Sequence, residues 1–151
     1  MRTTAFMDAL DLAIEAEQKA HNFYMMLSEK VNDEELVKMI RGFAQEEKKH
    51  EEKLIGVKKG ENFGPAIEDV GDLKIADYQK DPDVTPDMDL KELLTIASKA
   101  EKRAADLYAE MAAQFEEDTP EQNLFLQLVQ EEKKHKLRIE SFYEKEFMTE
   151  N

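Results

Sequence analysis

The hexapeptide QEEKKH occurs twice in the chain, at residues 45–50 and again at residues 130–135. Two of the three histidines in the sequence lie in these two copies. Residues three apart on an α-helix share one face, so the second glutamate and the histidine of each copy are expected to point the same way. The repeat therefore predicts two similar helices that each present a glutamate and a histidine side by side.

The shared face is the apolar face of each predicted helix. Bulky apolar residues stand four and seven positions before Glu47 and before Glu132, which is typical of a buried helical stripe. A second repeat aligns AEQKAHNFY at residues 16–24 with AEKRAADLY at residues 100–108, and each copy has a glutamate seven residues before a tyrosine. Six side chains are therefore expected to project into one core: Glu17, Glu47, His50, Glu101, Glu132 and His135.

Helical periodicity and capping signals predict four helices and one long connection. The helices are expected at about residues 3–30, 33–58, 89–116 and 120–147, and the connection at about residues 60–87. Short turns make the first two helices one antiparallel hairpin and the last two another. A connection of that length is expected to run along the bundle. The sequence predicts a single all-α domain of 151 residues, a four-helix bundle of two antiparallel hairpins joined by one long crossover, which is the ferritin-like variant.

Composition limits the classes of function. The formal net charge of −14, from 21 Lys and Arg against 35 Asp and Glu, argues against nucleic acid or an anionic membrane as a partner. The lack of cysteine excludes disulfides, thiolate metal sites and cysteine nucleophiles. No segment approaches the roughly 20 apolar residues that span a bilayer, and the N-terminus lacks a signal-peptide pattern. A soluble, cytoplasmic protein is expected.

The six inward side chains predict a metal site. Unpaired charges in a core cost on the order of several kcal/mol each, and no lysine or arginine lies on the inward stripes. Two divalent cations would neutralise the four carboxylates, and these donors suit iron or manganese, with zinc as another occupant. A solvated, charged turn of helix is the alternative for one hexapeptide alone, but two copies in register favour metal. Glu46, Glu131 and the paired lysines are expected on the solvated face.

One glutamate from each of two helices, with Glu-x-x-His from each of the other two, resembles the ferritin-like di-iron carboxylate proteins. Within that class, AEQKAHNFY and EEKKH resemble the rubrerythrin family over nearly the whole chain. The resemblance implies two iron ions as the cofactor. It also implies a role for eight residues: Glu17 and Glu101 as terminal carboxylates, Glu47 and Glu132 as bridging carboxylates, His50 and His135 as imidazole ligands, and Tyr24 and Tyr108 as hydrogen-bond partners that orient the ligands.

Two features depart from the family pattern. Rubrerythrins carry a rubredoxin-like module with four cysteines, whereas this sequence contains no cysteine. The resemblance therefore implies a separate electron donor, either a rubredoxin-like protein or a reductase. The third helix of rubrerythrins also carries a further glutamate, associated with redox-linked ligand exchange in peroxidase activity, where this chain has Ala104 and, in the repeat, Ala20. His21 lies one turn after Glu17, but its repeat mate is Ala105, which leaves a ligand role open.

Three functions remain open on the sequence alone. The resemblance implies an oxidoreductase, a di-iron peroxidase or oxidase that reacts with hydrogen peroxide or O2 and protects against oxidative stress. One alternative is a ferroxidase or iron-storage protein that uses the same site. Another is a metal-stabilised helical interaction module without catalysis. A homodimer is expected, because bundles of this type commonly dimerise.

Overall fold

The computed structural model describes residues 4–60 and 88–148. Within these residues the chain forms four α-helices and no strand, which confirms the predicted all-α bundle. The predicted crossover at residues 60–87 lies, apart from its first residue, outside the described residues. The helices are α1 (Thr4–Lys30), α2 (Glu34–Lys58), α3 (Leu90–Ala113) and α4 (Pro120–Phe147).

Capping side chains fix the starts of three helices. Asp33, Asp89 and Thr119 precede α2, α3 and α4, and each accepts a hydrogen bond from the backbone N–H three residues further on. Glu92 completes a capping box, because its carboxylate accepts from the backbone N–H of Asp89. Pro120 takes the first position of α4, where its missing N–H costs nothing. These contacts satisfy backbone donors that the first helical turn leaves free.

α3 ends at Ala113, before the predicted end at residue 116. Asp118 adopts φ 64°, a left-handed conformation that a continuous α-helix does not allow. The side-chain amide of Gln122 donates to the carbonyls of Ala112 and Phe115 at 3.3 and 3.4 Å, and so satisfies acceptors at the end of α3. The chain therefore reverses tightly, and α3 and α4 form an antiparallel hairpin.

Each hairpin packs along its length, α1 against α2 and α3 against α4. Two apolar clusters fill the opposite ends of the bundle. Leu54 near the end of α2 belongs to one cluster, whereas Leu94 near the start of α3 belongs to the other. α2 therefore ends at the opposite end of the bundle from the start of α3, as the predicted crossover requires. None of the four described helices combines the length and apolarity needed to cross a bilayer.

Candidate metal centre

A layer of polar side chains lies between the two apolar clusters. Each helix contributes one carboxylate to it, and all four carboxylate side chains are at most 2% exposed. The two histidines that end the hexapeptides belong to the same layer. The structure thus brings together all six side chains that the sequence placed in the core, and their role as ligands stays a prediction. They are Glu17, Glu47, His50, Glu101, Glu132 and His135.

The ring of His50 faces three of these carboxylates. Its Nδ1 lies 3.4 Å from Glu17 Oε2, 3.6 Å from Glu47 Oε1 and 3.7 Å from Glu132 Oε1. None of these four atoms has a hydrogen-bond partner among the described residues. The imidazole nitrogen and three oxygens therefore surround a common point without bonding to one another.

The ring of His135 has an equivalent environment, as the sequence repeat predicts. Its Nδ1 lies 3.3 Å from Glu47 Oε1, 3.5 Å from Glu101 Oε1 and 3.7 Å from Glu132 Oε2. Each half of the layer thus offers one imidazole and three carboxylates, drawn from both hairpins.

Glu47 and Glu132 are shared between the two histidines. Glu132 turns one oxygen towards each ring, and Glu47 Oε1 faces both rings. Glu17 faces His50, and its repeat mate Glu101 faces His135. The division into two bridging and two terminal carboxylates stays a prediction, which this arrangement permits.

The unpartnered atoms of the layer fit a pair of cations. Buried polar atoms normally have a hydrogen-bond partner, and leaving one without costs stability. Carboxylate oxygens and imidazole nitrogens within 4.8 Å of one another form two groups that could hold an ion, and Glu132 belongs to both groups. Seven buried atoms of the six residues lack a hydrogen-bond partner among the described residues: Glu17 Oε2, Glu47 Oε1, His50 Nδ1, Glu101 Oε2, Glu132 Oε1 and Oε2, and His135 Nδ1.

Burial, mutual repulsion and the facing histidines shift the pKa values of Glu17, Glu47 and Glu132 in different directions. Burial, and next the negative charge of Glu47, raises the pKa of Glu17 to about 8. Burial, and next the charges of Glu101 and Glu47, raises the pKa of Glu132 well above its usual value. Burial also acts to raise the pKa of Glu47, but the two facing histidine rings outweigh it and lower that pKa to about 2. The metal-free layer therefore places carboxyl groups with raised pKa values beside one, Glu47, that ionises more readily than usual.

Both histidines become stronger bases in this layer. Burial acts to lower the pKa of each ring, but the facing carboxylates outweigh it. Glu17 and Glu47 raise the pKa of His50 to about 10, and Glu101 and Glu47 raise the pKa of His135 to about 11. Near neutral pH both rings are therefore imidazolium ions in the metal-free protein.

Metal binding is expected to release protons, because coordination needs deprotonated nitrogen and oxygen atoms. Both rings and Glu17 carry a proton at pH 7, because their pKa values lie above 7, and the pKa of Glu132 is also raised. We expect two metals to displace about three to four protons, so affinity rises steeply between pH 6 and pH 8. Calorimetric titrations in buffers of different ionisation enthalpy measure the released protons. Binding that is independent of pH in this range would contradict the electrostatic picture.

Two buried tyrosines hold the outer carboxylates across the bundle. The hydroxyl of Tyr108 on α3 donates to Glu17 Oε1 on α1 at 2.7 Å, and the hydroxyl of Tyr24 on α1 donates to Glu101 Oε1 on α3. Burial, and next the charge of the facing glutamate, holds the pKa of each tyrosine well above its usual value, so each remains a donor. The sequence predicted that each tyrosine lies on the same helix face as the glutamate seven residues before it. The structure shows that the hydrogen bond crosses to the other repeat.

Glu46 contacts the site, although its sequence position predicted a solvated side chain. Its Oε2 accepts a hydrogen bond from His135 Nε2, while 45% of its side chain remains exposed. The prediction was incomplete because the contact joins α2 to α4, and no spacing along one helix reveals it. The repeat mate Glu131 pairs with Lys134 at 3.7 Å and is partly exposed, as predicted.

His21 lies apart from the six candidate ligands. Its Nδ1 is 2.8 Å from the backbone carbonyl of Ala44, a contact that joins α1 to α2. It belongs to neither of the two groups of potential ligands found among the described residues. The geometry therefore gives His21 a structural contact in the first hairpin rather than a place at the site.

Comparisons with known proteins agree with the helical bundle fold. The model of the rubrerythrin family matches residues 8–143. A solved structure from Thermotoga maritima, named a ferritin-like diiron-carboxylate protein, is 26% identical, with a TM-score of 0.71 over 95% of this chain and 97% of that one. A hypothetical protein from Pyrococcus furiosus is 28% identical, with a TM-score of 0.68 over 93% of this chain and 89% of that one. No curated protein matches the chain.

Proposed function

The chain belongs to the rubrerythrin family, and we propose that it is an oxidoreductase that binds two iron ions and reacts with hydrogen peroxide or O2. One observation carries the proposal: two imidazole nitrogens each face three carboxylate oxygens, and two of the glutamates are shared between them. Such a donor set can hold two divalent ions side by side and neutralise four buried carboxylates.

Bound iron would supply one-electron redox chemistry and polarise an oxygen-containing substrate. The protein would contribute fixed positions for the ligands, since the tyrosine hydroxyls hold the outer carboxylates and the apolar clusters above and below keep water out. Two sets of residues would hold the ions: Glu17, Glu47, His50 and Glu132 on one side, and Glu47, Glu101, Glu132 and His135 on the other.

A small oxidant would reach the site most easily beside His50. The side chain of His50 is 16% exposed, whereas that of His135 is 2% exposed. O2 and hydrogen peroxide are small enough to approach past a side chain that is partly exposed. The electrons would come from outside these residues, from a rubredoxin-like protein or a reductase, because the chain has no cysteine to hold a thiolate iron centre.

A ferroxidase is the second candidate, and Ala104 favours reaction with O2 over reaction with peroxide. Ala104 lies one turn after Glu101 and is buried, so a methyl group occupies the position of the further glutamate of rubrerythrins. Alanine has no carboxylate to offer as a metal ligand. The ligand exchange associated with peroxidase activity would therefore need another donor in this protein.

An anaerobic titration with ferrous ion, followed by rapid mixing with O2 or with hydrogen peroxide, tests the proposal. We expect two irons per chain, with oxidation seen as new absorbance, and the faster oxidant identifies the reaction. Preferential reaction with peroxide would indicate a peroxidase despite Ala104, whereas preferential reaction with O2 would indicate an oxidase or ferroxidase. Fewer than two irons, or irons that neither oxidant oxidises, would overturn the proposal and favour a structural metal.

A further inference from the structure

The two halves of the candidate metal centre have matching ligands but different surroundings. Each half offers one histidine and three glutamates at similar distances. The residues that contact the two histidine rings from the side away from the glutamates do not follow the repeat, because equivalent positions make different contacts. Any difference in metal affinity between the two positions therefore has to come from residues outside the six candidate ligands.

His135 is held on several sides. Its Nε2 donates to the carboxylate of Glu46. Phe43 stacks on the ring, with centroids 4.3 Å apart and an interplanar angle of 27°, and Tyr24 meets the ring edge-on at 6.5 Å. Arg138 lies over the Phe43 ring, 4.8 Å from its centroid. The imidazole is therefore fixed in orientation before any ion arrives.

His50 lacks the counterparts of two of these contacts. The repeat mate of Glu46 is Glu131, whose carboxylate pairs with Lys134 on its own helix at 3.7 Å. The repeat mate of Phe43 is Leu128, which has no ring to stack on an imidazole. The side chain of His50 is also the more exposed of the two. Its orientation is less constrained than that of His135.

We propose that Glu46 is a positioning residue that makes the two metal positions inequivalent, so that the ion at His135 binds first and the ion at His50 exchanges more readily. This inference rests on the proposed two-metal site. Glu46 accepts a hydrogen bond from Nε2–H of His135, so the other ring nitrogen, Nδ1, faces the carboxylates. The same hydrogen bond makes Nδ1 a stronger metal ligand. Partners of this kind change metal affinity by about 10- to 100-fold, and a ligand that is already oriented loses less freedom on binding.

Calorimetric and absorbance titrations with Co²⁺ compare Glu46→Gln with Glu131→Gln, its repeat-matched control. In the unmodified protein we expect two Co²⁺ per chain in a tighter and a weaker class. Glu46→Gln should weaken the tighter class by about 10- to 100-fold and leave the weaker class unchanged, whereas Glu131→Gln should leave both unchanged. Equal weakening of both classes, or no change in Glu46→Gln, would overturn the inference. Unmodified protein that binds fewer than two Co²⁺ would instead overturn the proposed function.

Nitrogen-15 NMR of the histidines in the Zn²⁺-loaded protein gives a readout that does not depend on activity. The Nε2–H of His135 should exchange slowly and resonate downfield because it is hydrogen-bonded to Glu46. In Glu46→Gln this resonance should move upfield and exchange faster, while the His50 signals stay in place. Unfolding of metal-free Glu46→Gln, compared with that of Glu131→Gln, checks that the variant is folded. An unchanged His135 resonance would overturn the role given to Glu46.

Discussion

Replacing Glu132 with alanine is expected to abolish binding of both metal ions rather than one. Its Oε1 faces His50 and its Oε2 faces His135, at 3.7 Å each. The change therefore removes one ligand oxygen from each half, and it leaves less negative charge between the two positive ions. We expect the metal content to fall from two ions per chain to none, and the same result for Glu47→Ala, because Glu47 Oε1 also faces both rings.

A terminal carboxylate provides the contrast. Glu17 faces His50 and belongs to one of the two potential ion-binding groups, so Glu17→Ala should lose the ion on that side and retain the other. Glu131→Ala, next to Glu132 but paired with Lys134, should keep both ions. Elemental analysis after equilibrium dialysis measures all four variants. Two ions retained by Glu132→Ala and by Glu47→Ala would refute the assignment of these residues as bridging ligands.

Much of this architecture follows from the sequence because helical spacing is a local property. The apolar positions around Glu47 and Glu132 recur at the helical period, so the inward direction of each glutamate can be read from its neighbours. The identical hexapeptides then imply similar environments for the two histidines. The inward positions of all six candidate ligands follow from those two observations and from the glutamate–tyrosine repeat.

Contacts between helices were beyond the same reasoning. The hydroxyl of Tyr24 reaches Glu101, and the carboxylate of Glu46 reaches His135, across pairs of helices whose relative rotation and height no single-helix pattern specifies. The end of α3 was also missed, because it depends on the left-handed conformation of Asp118 rather than on hydrophobic period. The sequence repeat predicts a symmetric site, and the structure shows where the symmetry fails.

The candidate ligands are expected to destabilise the metal-free fold. Both oxygens of Glu132 are buried without a hydrogen-bond partner among the described residues, and its pKa is raised well above its usual value by burial and next by Glu101 and Glu47. A raised carboxyl pKa means that the stabilising contribution is complete below the usual pKa, near 4.5, and is lost as the pH rises towards the raised value. At neutral pH the metal-free protein therefore bears a cost that a neutral side chain would avoid.

Metal-free Glu132→Gln should accordingly be more stable than the unmodified protein, although it loses the metals. Glutamine has nearly the same shape, does not ionise, and can donate to the facing carboxylates. Replacing a buried ion pair by neutral side chains of similar volume is often neutral or stabilising by about 1–4 kcal/mol. We expect a gain no larger than this for Glu132→Gln, and we expect it to grow from pH 5 to pH 8 because the pKa of Glu132 is raised. Urea unfolding with a chelator present measures the free energy of unfolding, with Glu131→Gln expected within about 0.5 kcal/mol of the unmodified protein.

Adding metal should reverse this order, because ions that bind the folded state stabilise it by mass action. At a free metal concentration 100 times the dissociation constant the gain is about 2.7 kcal/mol, and Glu132→Gln should gain little of it. A metal-free Glu132→Gln protein that is less stable than the unmodified one would mean that the buried carboxyl supports the fold by itself. The layer would then be a structural ionic network, whereas the expected reversal identifies it as a site whose stability depends on the ions it binds.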